Sequence, residues 1–253
     1  MRKQIQLLLL CSVTWLPLIA KADLSEKREV TWGVSVGMNQ YKEPNLMQLQ
    51  GPEVGLHANV TGWAYMPRVQ FESDVLLGNQ RYTSKSSGSK HGVRNLETRW
   101  RALSPLFPNA TTRSDWYSGL ALHTLWNDLR GETTYGGTTY GGYQRSAQQL
   151  WWPVRWTPNE QWTLDAGLLI YGRHTSKLSE VSTAYQDITN IQRRGQYAQV
   201  ALKLPLRSGH TLNPFVRYTH LADSNIVAMG GEYWLEPASH RWQAGAIWEF
   251  TAP

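Results

Sequence analysis

Beyond residue 22 the chain consists largely of short runs in which apolar and polar residues alternate. In the first run, residues 30–40, every even position from Val30 to Met38 is apolar, and the odd positions carry Thr, Gly, Ser and Asn. In the last run, residues 241–250, a similar alternation extends from Trp242 to Phe250. Successive side chains of a strand point to opposite faces, so each run predicts a strand with one apolar face and one mostly polar or small face.

Ten runs of this kind follow one another along the chain. The predicted strands are residues 30–40, 53–61, 67–78, 95–103, 116–127, 148–156, 162–171, 197–206, 212–221 and 241–250. Long connections at residues 41–52, 79–94, 128–147, 172–196 and 222–239 alternate with short ones at residues 157–161 and 207–211 and with less tight ones at residues 62–66 and 104–115. The alternation predicts an antiparallel up-and-down sheet with its long connections at one end.

The composition indicates the surroundings of such a sheet. The chain has 13 Trp and 12 Tyr but only four Phe, and the Trp and Tyr residues gather near the predicted strand ends. This distribution is typical of the aromatic girdles that border the apolar band of a membrane barrel. No continuous apolar run after residue 22 has the length of a membrane-spanning helix.

The last strand carries a short motif of its own. Gln243, Gly245, Trp248 and Phe250 fit the pattern polar-x-Gly-x-x-aromatic-x-aromatic, and this resembles the C-terminal assembly signal of bacterial outer-membrane β-barrels. Members of that family usually stop at the final aromatic residue, whereas here three residues follow. The resemblance implies location in the cell outer membrane and contact with the barrel assembly machinery during biogenesis.

A further strand can be drawn through residues 226–235. It would make the number of strands odd, whereas single-chain bacterial barrels have an even number and both termini in the periplasm. We therefore interpret residues 222–239 as the last outer loop, with room for an extended hairpin. The predicted fold is all-β: a single transmembrane antiparallel up-and-down β-barrel of about ten strands, with short periplasmic turns and long outer loops.

Residues 1–22 have the features of an export signal. Arg2 and Lys3 precede an apolar run over residues 7–20, and residues 20–22 read Ala-Lys-Ala, a cleavage site of the A-x-A type. We expect cleavage after residue 22, which leaves residues 23–253 as one barrel domain.

Removal of the signal changes both the cysteine content and the charge. It takes away the sole cysteine, so the exported chain has no disulfide framework. Three of the 25 basic residues leave with it, and the net charge falls from +6 to +3. The remaining basic residues form no clustered face of the kind that binds nucleic acid.

The polar faces of the predicted strands place charged side chains in the barrel lumen. The inward basic residues are Arg68, Arg99, Arg101, Arg155, Lys203 and Arg217. The inward acidic residues are Glu53, Glu72, Asp74, Glu97, Asp165 and Glu249. Equal numbers favour a lumen packed with paired charges, because buried charges persist when they are partnered. The alternative, a narrow selective pore, needs a ring of one sign, and only Arg99 with Arg101 suggests one.

Two families of outer-membrane enzymes have motifs that can be compared with this chain. Omptin proteases resemble one another in an outer Asp pair and an Asp–His pair; this chain has no Asp-x-Asp, although His174 and Asp187 lie at the matching end. Lipid A deacylases resemble one another in a His-x-Ser motif with a following acid. Here His220 and Ser224 are four residues apart, and Glu232 follows. A polar strand-to-loop junction is the simpler interpretation, so we predict no enzyme, no metal site and no cofactor.

The predicted outer loops carry two candidate recognition features. Residues 133–142 repeat the sequence Thr-Thr-Tyr-Gly-Gly, which places Tyr135 and Tyr140 in equivalent positions of a hairpin. Tyr supplies amphipathic contact area and Gly allows close backbone approach, so this hairpin is either a flexible tip or a surface for an extracellular ligand. Scattered basic residues offer contacts to phosphates of the surface lipid, including lipopolysaccharide.

Short motifs in the last hundred or so residues resemble a group of small porin-family proteins of unassigned function. They are Tyr143-Gln-Arg145, Leu150-Trp-Trp-Pro153, Asn213-Pro-Phe-Val-Arg-Tyr218, Asp223-Ser224 and Glu236-Pro237. The resemblance implies fold and location. The sequence therefore predicts an outer-membrane barrel that is porin-like or acts in surface recognition, with a narrow or charge-filled lumen. The alternative is a lipid-directed hydrolase that uses His220 and Ser224.

Overall fold

The computed structural model describes residues 29–63, 66–107, 115–206 and 209–251, and the predicted export signal lies outside them. The strands are β1 (Glu29–Glu43), β2 (Met47–Trp63), β3 (Met66–Ser84), β4 (Gly88–Pro105), β5 (Asp115–Tyr135), β6 (Thr138–Thr157), β7 (Trp162–Ser176), β8 (Ile188–Gln192), β9 (Gly195–Leu202), β10 (Leu204–Pro205), β11 (His210–Leu221), β12 (Val227–Met229), β13 (Glu232–Trp234) and β14 (Ser239–Thr251). A short 3-10 turn, Leu178–Glu180, follows β7. Within these ranges no helix has the length and apolar character needed to cross a bilayer.

The strands form a closed antiparallel ring. Strands β1 to β7 pair with their neighbours in chain order; β7 then pairs with β9, β9 with β11, β11 with β14, and β14 with β1. Strands β8 and β10 continue β9 at its two ends, β8 alongside β7 and β10 alongside β11. The three segments therefore act as one strand of the ring, and the predicted ten-stranded barrel is confirmed.

Residues 226–235 do not join the ring. Strands β12 and β13 pair only with each other, from Val227 opposite Trp234 to Met229 opposite Glu232. The segment is thus a small separate hairpin within the last long connection, which leaves both ends of the ring, Glu29 and Thr251, at one end of the barrel. We call that end the inner end and the opposite end the outer end.

The strands extend further toward the outer end than the alternation predicted. The connections predicted at residues 41–52, 79–94 and 128–147 consist mostly of paired strand, with turns of only a few residues between β1 and β2, β3 and β4, and β5 and β6. Strand β5 has 21 residues, whereas a strand needs about 9–11 residues to cross a bilayer. The outer halves of these strands therefore stand beyond the apolar band.

The barrel has an apolar outside and a polar inside. Outward side chains such as Val36 and Leu56 are 63% and 64% exposed, while inward Glu97 and Gln243 are 0% and 2% exposed. Two apolar clusters also lie inside. In one, Ala121, Trp151, Leu169 and Tyr197 pack together with the partly buried Leu221, and the other consists of Leu49, Val93 and Leu129. The period-two alternation of the sequence thus separates lipid-type and polar surroundings across a single layer of sheet.

Candidate functional site

The inner lumen network joins four strands through two arginines and two carboxylates. Arg101 on β4 lies 2.7 Å from Glu72 Oε2 on β3 and 3.0 Å from Asp165 Oδ2 on β7. Arg155 on β6 contacts the same acids: its Nε lies 2.7 Å from Asp165 Oδ1, and its Nη1 donates to Glu72 Oε1. Strand β3 is not a neighbour of β6 in the ring, so this network crosses the lumen.

The middle lumen network is centred on Glu97 of β4, whose side chain is fully buried. Its carboxylate accepts hydrogen bonds from Arg99 Nε at 2.5 Å and from Arg241 Nη2 on β14. The ring nitrogen Nε2 of His123 on β5 lies 2.6 Å from Glu97 Oε1. Arg241 also donates from Nε to Asn39 Oδ1 at 2.9 Å, which ties β1 into the same network.

A histidine bridges two acids nearer the inner end. His57 Nδ1 on β2 lies 2.5 Å from Asp74 Oδ1 on β3, and its Nε2 lies 3.2 Å from Glu249 Oε1 on β14. Glu249 stands opposite Gly33 in the β1–β14 register, and the missing side chain at Gly33 leaves room for the Glu249 methylenes. The histidine therefore reaches across β1, which lies between β2 and β14.

The outer lumen network includes a residue from the last connection. Arg145 on β6 lies 2.7 Å from Glu43 Oε1 on β1 and donates from Nη2 to Glu236 Oε1. His174 Nδ1 on β7 lies 2.9 Å from Glu236 Oε2, and the Glu236 backbone N–H donates to Ser224 Oγ at 2.8 Å. Burial raises the pKa of the Glu236 carboxyl, but Arg145 and His174 outweigh it and lower that pKa to about 2.

Two of the charges predicted in the lumen lie at its rim or outside it, and a third lies inside against an aromatic ring. Arg68 pairs with Asp115 at the inner rim, where both side chains are 31% exposed. Lys203 is exposed at the break between β9 and β10, because the strict alternation on which its placement rested ends there. Arg217 is buried, but its guanidinium carbon lies 4.1 Å from the centre of the Tyr197 ring, a cation–π contact.

The charges of the outer network and Arg241 of the middle network are absent from the lumen residues predicted by the alternation. Glu43, Arg145 and His174 lie in strand extensions that were interpreted as loops, and Glu236 lies in a connection. The inward position of Arg241 could have been predicted from the alternation, since Arg241 has the same parity on the last strand as the inward Glu249. Loop composition gave no comparable signal for Glu236.

The His220 and Ser224 side chains have separate partners. His220 Nδ1 lies 3.2 Å from the carbonyl oxygen of Ser239, and Ser224 Oγ donates to the Asn225 carbonyl oxygen at 2.8 Å. Ser224 Oγ also accepts the Glu236 backbone N–H, as described above. Within the described residues no hydrogen bond joins His220 to Ser224.

The other catalytic candidates are also dispersed. Glu232 is exposed on β13, and Asp223 accepts a hydrogen bond from a backbone N–H of the same connection. Asp187 Oδ2 lies 2.5 Å from Lys177 Nζ, whereas His174 pairs with Glu236 in the lumen. No group of three or more His, Cys, Asp or Glu residues in the described ranges is arranged to hold a metal ion.

The repeat-bearing hairpin forms the tip of β5 and β6. Gly136 and Gly137 make its turn with φ angles of 58° and 81°, a region that favours glycine. Tyr135 and Tyr140 flank the turn and are 53% and 38% exposed. A cavity of about 80 Å³ lies beside this hairpin, and Tyr140 and Lys90 contribute to its lining. The two tyrosines are therefore available for contact at the outer end.

The residues of the assembly motif divide between the two faces of β14. Trp248 and Phe250 point outward and are 51% and 41% exposed. Gln243 points inward, where its Nε2 donates to Glu53 Oε1 at 2.8 Å. Gly245 lies against the β1 backbone, where a side chain would not fit.

An antiparallel ring with an apolar outside, a charged inside and tall outer hairpins satisfies every requirement of a strand-built membrane protein. The fold is that of a bacterial outer-membrane β-barrel. No family model matches the chain, and a comparison with curated proteins gave no significant match.

Solved structures with a similar fold come from several bacteria. Neisserial surface protein A is 10% identical with a TM-score of 0.39, over 89% of this chain and 99% of that one. The outer membrane protease OmpT of Escherichia coli is 8% identical with a TM-score of 0.45, over 89% and 96%. The β domain of the Bordetella autotransporter BrkA is 10% identical with a TM-score of 0.47, over 89% and 100%. Such similarities concern the fold and assign no activity.

Proposed function

We propose that the protein is an integral outer-membrane β-barrel that does not act as a general porin. In this proposal paired charges close its lumen, and its outer hairpins provide a recognition surface. The observation that carries the proposal is the burial of the lumen charges: the Glu97 and Asp165 side chains are 0% and 1% exposed. A side chain lining a water-filled channel is exposed to that water. The burial of these carboxylates therefore supports a lumen occupied by other side chains.

The outer surface supports the membrane location. On β14, outward residues are apolar from Trp242 to Phe250, eight residues apart. At about 3.3 Å per residue and a tilt of about 40°, this band is roughly 20 Å high, close to the ~25 Å of outer-membrane barrels. The location implies export through a cleaved signal at residues 1–22, insertion by the barrel assembly machinery, and contact with outer-membrane lipid and lipopolysaccharide.

The proposed recognition surface is the β5–β6 hairpin. Tyr135 and Tyr140 stand beyond the apolar band, so their exposure is not explained by contact with lipid chains. Exposed tyrosines beside a glycine turn suit an extracellular protein or glycan. A labelled-cell or glycan-array binding comparison between the wild type and the Tyr135→Ala/Tyr140→Ala variant tests this role. Equal binding by both would reject it.

We further propose that the protein is not an enzyme. The alternative hydrolase requires Ser224 Oγ as a nucleophile with His220 as its base, and the hydrogen bonds of both side chains run elsewhere. The bonds of Ser224 support a structural role in folding the last connection onto the lumen. An assay of acyl release from lipid A by the reconstituted protein tests the alternative. Release that disappears in the Ser224→Ala variant would overturn the non-enzyme proposal.

Conductance in planar bilayers tests the closed lumen directly. The wild-type barrel is expected to give no steady open-channel current, because its inner and middle networks each cross the lumen. Protein that has folded, as judged by its heat-modifiable migration on gels, serves as the input. A steady, ion-selective conductance from that protein would contradict the closed-lumen proposal.

A further inference from the structure

The outward faces of β11, β14 and β1 bring an unexpected group of side chains together near the outer end. In the register of these strands His220 stands opposite His240, and His240 stands opposite Lys42. The two imidazole rings stack with centroids 4.8 Å apart and planes 23° apart. Directly opposed cross-strand residues have Cβ atoms about 4.5–5.5 Å apart, so the three side chains form one continuous outward row.

The row lies immediately beyond the outer aromatic girdle. One outward position nearer the band, Tyr218 stands opposite Trp242, with ring centroids 4.7 Å apart. Trp242 is 51% exposed on the outer surface of the barrel. Two residues along a strand advance about 6.6 Å, so the row lies at the level of lipid headgroups when Trp242 lies at the border of the apolar band.

Hydrogen bonds fix the orientation of both imidazoles. His220 Nδ1 faces the carbonyl oxygen of Ser239 at 3.2 Å, and because a carbonyl only accepts, this nitrogen carries a proton. His240 Nδ1 lies 2.6 Å from the Tyr218 hydroxyl. In each ring Nε2 is the nitrogen left for an external group. His240 Nε2 donates to a phosphate when its Nδ1 accepts the Tyr218 hydroxyl, whereas His220 Nε2 donates only when that ring is doubly protonated.

The Lys42 ammonium is the formal charge at the outward positions of this surface. The outward positions of β11, β14 and β1 at and beyond the girdle are Tyr218, His220, His240, Trp242, Gln40 and Lys42. They include an exposed ammonium and two imidazoles but no carboxylate. Donors of this kind suit a phosphate group, while the Trp242 and Tyr218 rings suit the sugar or upper acyl region below it.

We propose that Lys42, His220 and His240 form an exterior site for the phosphate of an outer-leaflet phosphorylated glycolipid. The inference rests on the proposed outer-membrane location. It assigns to this row a lipid-binding role that is separate from the lumen networks and from the β5–β6 hairpin. Bound glycolipid would hold the β11–β14–β1 seam, where the ring closes.

The test measures lipid retention by the folded barrel in neutral detergent micelles. The probes are diphosphorylated lipid A, the same lipid A after removal of both phosphates, and phosphatidylglycerol, each detected by native mass spectrometry. The Lys42→Gln/His220→Gln/His240→Gln variant is expected to lose roughly tenfold in apparent affinity for diphosphorylated lipid A, as several charge-assisted hydrogen bonds disappear. Wild-type protein is expected to retain the dephosphorylated lipid and phosphatidylglycerol much less well.

His210 provides a matched control, because it lies on β11 and points outward as His220 does. His210 lies at the inner girdle of β11, stacked edge-on against Trp248 at 5.7 Å, so His210→Gln should leave retention unchanged. The single Lys42→Glu variant, at an exposed position, should also weaken retention. Equal retention by the triple variant and the wild type, or equal binding of phosphatidylglycerol, would overturn the inference. Barrel folding and conductance are measured separately, so a failure here is distinct from failure of the proposed function.

Discussion

Arg241 on β14 donates a hydrogen bond to Glu97 on β4, although three strands separate β14 from β4 on the nearer side of the ring. The contact is possible because ten strands enclose a lumen that two long side chains can span. Glu97 also binds Arg99 and His123, so one carboxylate serves three basic side chains. Such a site is sensitive to loss of the acid, since the buried cations around it would lose the one carboxylate that contacts all three.

Glu97→Gln is therefore expected to destabilise the barrel by about 3–5 kcal/mol, the usual cost of leaving buried charges unpaired. Urea unfolding in micelles, followed by tryptophan fluorescence, measures this change in the free energy of unfolding. Glu132→Gln provides the control, because Glu132 is exposed on the outer part of β5. A loss at Glu97 no greater than that at Glu132 would show that the middle network contributes little to stability.

Removing both arginines of the inner network is expected to raise cation leakage through the lumen above the wild-type level, although the middle network still crosses it. In the Arg101→Ala/Arg155→Ala variant two large side chains disappear, while Glu72 and Asp165 remain. Water and cations gain both space and two carboxylates that no arginine of this network neutralises. Planar-bilayer conductance should rise above that of the wild type, and the reversal potential under a salt gradient should indicate cation preference.

The control for this variant is Arg81→Ala, which removes an exposed arginine of the outer half of β3. It should leave the current at the wild-type level. Anion preference in the double variant, or a current unchanged from the wild type, would contradict the role assigned to the inner network.

The strand number could be predicted from the sequence because the outward face of each strand meets an apolar medium. The strand ends could not, since beyond that medium both faces are polar. Gln48 and Gln50 on β2, or Arg81 and Thr83 on β3, point outward yet show no apolar alternation, while the backbone ladder continues through them. The hydrogen bonds that extend these strands are made by the backbone, so the pattern of polar and apolar side chains does not indicate them.

The lumen partners illustrate a second limit of the sequence. Alternation predicts that Glu72 and Arg155 both point inward, but their pairing depends on barrel diameter, tilt and register. These are properties of the closed ring. For Glu236 not even the inward position could be predicted, because this residue reaches the lumen from a connection whose path is set by Ser224 and neighbouring backbone groups.

Gly245 offers a prediction about ring closure. A Cβ built at this position would clash with the Val36 carbonyl oxygen and would lie 2.9 Å from Gly37 Cα, both backbone atoms of β1. Gly245→Ala should therefore force β1 and β14 apart and destabilise the barrel by roughly 1–3 kcal/mol. The fraction that resists heat-induced unfolding on gels measures the effect.

Gly78→Ala is the matched substitution in the wall of the barrel, since its added Cβ would meet the Asn95 side chain at 3.3 Å. That contact can relax by a small side-chain shift. Comparable losses in the two variants would indicate that strand glycine content, and not closure at the β1–β14 seam, determines the stability change.

The last connection should detach from the lumen in acid. The pKa of Glu236 is about 2 in the folded protein, below the ordinary value of about 4.3 for a glutamate. A depressed carboxyl pKa contributes stability that is present above the ordinary value and is lost as pH falls toward the folded value. Docking of the β12–β13 hairpin should therefore weaken between about pH 4.5 and 2, as protonation removes the anion that Arg145 and His174 bind.

Hydrogen exchange of residues 227–234, measured over this pH range and corrected for intrinsic rates, reports the detachment. In Glu236→Gln the hairpin should be weakly protected at every pH, because the carboxylate is absent throughout. Glu232→Gln, on the exposed β13 strand of the same hairpin, should keep the wild-type pH profile. If Glu236→Gln kept that profile as well, another group would have to control the docking. The ion pairs of the Glu236 carboxylate would then not be what holds the last connection against the lumen.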